Sequence, residues 1–136
     1  MRILLDTHAL LWALAAPGRL PAGVRYAVQT AENDVYASVA SAWDIAIKVA
    51  LRRLDFDVPS MENMLAASGI QTLGISFQHT ARVAELPPHH RDPFDRMLVA
   101  QALCESMILI SRDRELGRYG VRILWRDGFS AGSRVS

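Results

Sequence analysis

Asp6, Asp44, Asp92, Asp95 and Asp113 are the residues of this chain whose types and spacing could do chemistry. Asp6 follows the apolar run Ile3, Leu4 and Leu5, a stretch that suits a strand buried on both faces. Asp113 repeats the pattern, appearing just past the apolar run at residues 107–110. Carboxylates at the C-terminal ends of buried parallel strands lie on the edge where open α/β sheets bind ligands. Asp92 and Asp95 precede or open an expected helix, where negative charge meets the positive helix end. Asp95 is expected to point inward and Asp92 to cap that helix. Asp44 stands four residues before Lys48 on another expected helix and, taken alone, reads as half of an exposed ion pair. Each acid thus has a purely structural use as well, and spacing alone leaves both readings open. Acids gathered on one sheet edge repel. The usual remedy is a divalent cation, and hard oxygen ligands suit Mg²⁺ or Mn²⁺.

Other reactive side chains are placed less tellingly. His8 follows Asp6 closely enough to touch a ligand bound there, but no metal-ligand spacing links it to His79, His89 or His90. His89 and His90 are expected in a solvated loop. Cys104 is expected to be buried on a core helix, which leaves it no role as a nucleophile. Arg91, Arg96, Arg112 and Arg114 lie beside the acids and suit either phosphate contact or charge balance. Trp12 and Trp43 are expected to serve packing.

Alternating strands and helices must position these groups. The apolar periodicity predicts helices over residues 8–14 (capped by Thr7), 21–31, 40–54, 60–67, 76–86 and 94–105, with a short one over 114–119. Strands are expected at residues 3–5, 35–38, 70–75, 107–110 and 121–124. That alternation predicts an α/β fold with a parallel sheet. A single domain is expected over residues 1–126, followed by a flexible Gly/Ser-rich tail over 127–136.

Composition narrows the function classes. The 136 residues are 51% hydrophobic and 21% charged, ordinary for a globular domain. A formal net charge of +1 gives no broad field toward nucleic acid or membranes, so any such contact must be a local patch. One cysteine excludes an internal disulfide and any multi-cysteine zinc site. No signal peptide and no bilayer-spanning stretch is expected, and the expected setting is the cytoplasm.

Four blocks stand in an order and spacing that resemble the PIN-domain family, and in particular VapC-type toxins of bacterial toxin–antitoxin pairs. They are LDTHALLW at residues 5–12, SAWDIAIK at 41–48, RDPFDRMLVAQA at 91–102 and ISRD at 110–113. The resemblance runs from Met1 to about Trp125. It implies a three-layer α/β/α fold around a parallel sheet of four or five strands. It also implies metal-dependent cleavage of RNA, a homodimer and an inhibiting cognate antitoxin. By position, Asp6, Asp95 and Asp113 resemble the family's first, third and fourth metal-binding acids, with Ser111 in the small hydroxyl position before the last. Asp44 takes the second acid's place, where the family usually presents Glu. One methylene shorter, it reaches a metal less well or through water. Thr7, His8, Asp92, Arg96 and Arg112 are then expected to bind substrate or to support the acids. The implied chemistry is attack of an activated water on a phosphodiester, with Mg²⁺ or Mn²⁺ as cofactor.

Other classes fit less well. An aspartate-nucleophile phosphatase usually wants a second Asp two residues after the first, and position 8 is His. A response-regulator receiver needs paired acids at the first strand and a lysine after the last one. A catalytically weakened PIN-like module that binds RNA or protein is the alternative, because of Asp44.

Overall fold

The computed structural model describes residues 1–125 and the backbone of residues 128–130. Its sheet has the order β3-β2-β1-β4-β5-β6. Five strands run parallel: β1 (Arg2–Leu5), β2 (Asp34–Ser38), β3 (Gln71–Leu73), β4 (Ile108–Ile110) and β5 (Ile123–Trp125). The sixth, β6 (Gly128–Ser130), pairs antiparallel with β5. It occupies three positions of the expected tail; residue 127 and residues 131–136 of that tail, and residue 126 before it, lie outside the described residues.

Side chains alternate across the strands, and the alternation builds two cores. Ile3, Leu5, Val35, Ala37, Ile108 and Ile110 pack on one face with α1 (Thr7–Ala15), α2 (Ala22–Gln29), α3 (Val39–Ala50) and α4 (Met61–Ala67). Leu4, Leu109 and Ile123 pack on the other face against α6 (Pro93–Glu105), with Leu86 just past α5 (Phe77–Glu85). The result is the expected three-layer α/β/α arrangement. No helix among the described residues is long and apolar enough to cross a membrane.

The strand order reverses between β1 and β4, whose register sets Leu5 beside Ile110. At such a switch point neighbouring loops leave in opposite directions and open a crevice at the strands' C-terminal ends. The Asp6 amide donates to the Ile110 carbonyl at 3.0 Å, which carries the β1–β4 ladder up to the crevice. The segments carrying Asp6 and Asp113 therefore leave adjacent strands side by side.

Candidate active site

Four elements bring the acids together. Asp6, Asp44, Asp92, Asp95 and Asp113 all line one cleft of about 230 Å³, with Thr7, His8, Lys48 and Arg112 completing its wall. Three of the acids are fixed by local backbone chemistry. Asp6, not Thr7, is the cap of α1: its Oδ1 accepts from the Ala9 amide at 2.8 Å, and Thr7 is already helical. Asp92 caps α6, with Oδ1 accepting from Phe94 and Asp95 amides at 2.8 and 3.1 Å. Asp113 accepts from the Glu115 amide at 3.1 Å, capping the 3-10 turn Arg114–Tyr119. Cap and site are thus the same residues, and the positive helix ends offset part of the charge they collect.

Burial and crowding mark two of the carboxyls. Burial pushes the Asp6 carboxyl up, against the pull of the Ala9 amide, the Ser111 hydroxyl, His8 and Arg112. Asp95 is pushed to about 7, first by burial and then by Asp92 and Asp6, with His90 pulling down and Asp113 up. Ser111 is fully buried and also accepts from the Asp113 amide at 3.0 Å, so one hydroxyl ties the ends of β1 and β4.

Asp44 arrives from the middle of α3, on the side facing α1. The Thr7 hydroxyl donates to its Oδ2 at 3.1 Å, and Lys48 Nζ lies 3.3 Å from its Oδ1. Both oxygens are engaged within the protein. The i,i+4 pair expected on an exposed surface stands instead at the cleft wall, with the Asp44 side chain 10% exposed.

Three expectations are corrected by the packing. Arg96 does not line the cleft. Its guanidinium donates to the Pro87, Val83 and Leu86 carbonyls and to the Tyr119 hydroxyl, because α6 turns residue 96 toward the end of α5. Cys104 is exposed, two residues past the buried stretch Leu98–Ala102, with its Sγ 3.8 Å from the Gln78 carbonyl oxygen. Trp43 is 61% exposed and meets Phe94 edge-on at 5.2 Å, so α3 leaves it uncovered.

His90 is the residue that the sequence reasoning missed. Its Nδ1 accepts from the Asp92 amide at 3.2 Å, which puts the ring proton on Nε2. That N–H donates to Asp113 Oδ2 at 3.0 Å and stands 3.7 Å from Asp95 Oδ2. His90, Asp95 and Asp113 offer ligand atoms within 4.8 Å of one another, the one such grouping found among the described residues. Asp6 is coupled to Asp95 through charge but lies outside that grouping. The available signal was the proximity of His90 to Asp92 and Asp95, which no helical or strand period could convert into a contact. The His89 ring meets the Tyr119 ring, 5.0 Å away, outside the cleft lining.

The donor set fits a divalent cation. Several carboxylate oxygens converge where burial makes their charge costly, and the His90 N–H already stands among them as a weak positive group.

Known proteins share this fold and sequence pattern. The family model of the PIN domain matches residues 3–121. Ribonuclease VapC22 of Mycobacterium tuberculosis (strain ATCC 25618 / H37Rv) is 28% identical over 116 residues, covering 84% of this chain and 88% of that protein. Among solved structures, VapBC2 from Rickettsia felis, bound to a DNA fragment from its promoter, has a chain that superposes with a TM-score of 0.69. Identity there is 14%, over 92% of this chain and 99% of that one. A toxin–antitoxin complex from Klebsiella pneumoniae gives 0.54 at 16% identity, over 82% and 86%.

Proposed function

This chain belongs to the PIN domain family, and from that premise we propose that it is a metal-dependent endoribonuclease of the toxin kind. In this reading it hydrolyses RNA phosphodiesters, acts as a homodimer and is inhibited by a cognate antitoxin. The observation that carries it is the convergence of acids from four elements on one cleft, with the Asp95 carboxyl raised to about 7. The names of the similar ribonuclease and toxin–antitoxin proteins support the substrate class and the partner.

Asp6, Asp95 and Asp113 would hold Mg²⁺ or Mn²⁺, with His90 beside them. When bound, the ion supplies an acidified water and a counter-charge for the phosphate. The remaining work falls to the chain. Ser111 and the Ala9 amide hold Asp6 in one orientation, and Asp92 does the same for the start of α6. A carboxylate has about four lone-pair sites, so the capping bond at Asp6 leaves room for an ion. Thr7 orients Asp44, whose pairing with Lys48 brings an ammonium to the cleft wall. Arg112 and His8, both exposed on that wall, face an incoming phosphate. For the antitoxin, the exposed Trp43 beside Phe94 offers an apolar seat near the acids.

The Asp44–Lys48 pair favours a second reading, a module that binds RNA or protein with weakened catalysis. A cleavage assay on a mixed RNA pool with Mg²⁺, with Mn²⁺ and with EDTA separates the two. We expect metal-dependent cleavage, lost in Asp95→Asn by at least the roughly 10- to 100-fold that removing an outer supporting group costs a metal site. Cleavage in EDTA, or full activity in Asp95→Asn, overturns the proposal.

A further inference from the structure

Beside the acid cleft lies a groove of the opposite charge. Trp12, Arg19, Pro21, Arg112, Arg114 and Trp125 line about 550 Å³ of open space at the same sheet edge. Arg112 belongs to both walls, so the groove continues directly from the cleft. Among the described residues, none of the three arginines forms an ion pair with a carboxylate. Three guanidiniums gathered in this way repel one another, as the acids next door do.

What holds two of them is Trp12. The Arg19 and Arg112 guanidiniums lie 4.6 and 5.3 Å from its ring centroid, within cation–π range. Trp12 in turn meets Trp125 at 6.1 Å, and both rings pack against the core on the α1–α4 side. A guanidinium held by its face keeps its N–H edge free, and that edge fits two phosphate oxygens at once. The groove is therefore a set of anion donors fixed in advance, in a protein whose net charge of +1 provides no general attraction.

We infer that this groove clamps the backbone phosphate of single-stranded RNA next to the one positioned over the acids. The inference rests on the ribonuclease reading and names where its substrate runs. A strand whose phosphodiester sits over the acids must leave the cleft, and Arg112 marks the side where the next phosphate meets positive charge. Guanidiniums interleaved with aromatic rings are the usual lining of single-strand grooves.

The test is fluorescence anisotropy with a labelled single-stranded RNA 12-mer and Mg²⁺, in an Asp95→Asn parent that should bind without cutting. Arg19→Gln/Arg114→Gln removes two guanidiniums. Arg52→Gln/Arg53→Gln removes the same charge from the turn after α3 and serves as the control. The groove variant should bind several-fold more weakly, and its plot of log affinity against log salt should be shallower by about 0.7, one single-strand phosphate contact. The control should change neither by as much. Equal effects of the two variants overturn the clamp. So does a parent that binds polyglutamate more tightly than RNA, which would mean an acidic polypeptide is the occupant. A parent that binds no RNA overturns clamp and ribonuclease reading together. Wild type that cuts no RNA, with binding still sensitive to Arg19 and Arg114, removes the nuclease and leaves the clamp.

Discussion

Asp95 ionises in the folded protein only near pH 7, against 3.8 for an unperturbed aspartate, because it is buried among other acids. In the unfolded chain it returns to the ordinary value. Between about pH 4 and 7 the folded, metal-free protein therefore holds a proton that the unfolded chain has released. Stability from this group is fully present below about 4 and is lost as pH rises through 7. Urea unfolding in EDTA across that window should show the loss, and Asp95→Asn should flatten it, with Asp6 keeping part of the slope. An Asp95→Asn protein that follows wild type at every pH would sink the assignment. Divalent metal should act in the opposite sense, binding more tightly as pH rises because it displaces that proton. At this scale the aspartates were legible because each stood beside an apolar run or a helix start. His90 was not. Its partners lie up to 23 residues away, and its place depends on how the loop before α6 meets the end of β4.

Each helix or turn that reaches the site begins on a side chain that also belongs to it or adjoins it: Asp6, Ser38, Asp92 and Asp113 are all N-caps. The element order was readable from apolar periodicity, and the ends were less so. α3 stops at Ala50 rather than at residue 54, because Arg52 takes a left-handed φ of 58° that turns the chain out of the helix. Arg96 shows why facing was harder to read than existence. Residues 92, 95 and 96 share one helix start, yet a single step of about 100° sends Arg96 to the neighbouring helix. There its bonds to the Val83, Leu86 and Pro87 carbonyls close the end of α5. Arg96→Met should cost roughly 1.5–3 kcal/mol in urea unfolding, the range for a hydrogen bond to a charged group. The same variant should keep the full response to Mn²⁺. A variant as stable as wild type would show that water replaces the guanidinium at those carbonyls.

For the molecule as a whole, the cleft is the place where segments far apart in the chain meet, so an ion held by Asp6, Asp95 and Asp113 would tie the end of β1, α6 and the turn after β4 together. Mn²⁺ at about a hundred times its Kd should add about 2.7 kcal/mol, several degrees in Tm for a domain of this size. Asp6→Asn should melt at or above wild type in EDTA and gain little from metal. Equal shifts in both proteins would rule out ligation by Asp6. The layered parallel architecture was legible because alternating strand and helix patterns admit few other solutions. The antiparallel β6 was not, since Gly128-Phe129-Ser130 carries no alternation of its own. The strand order has a further consequence, in time. β1 is the first strand made and lies between β2 and β4, whose last residue is Ile110. At roughly 5–20 residues per second, a nascent chain spends several seconds with β1 unpaired on that side. Asp6 has no Asp113 beside it until then. Chemistry that needs both acids is therefore shut off until the chain has been made past β4, and the site is completed late in synthesis rather than early.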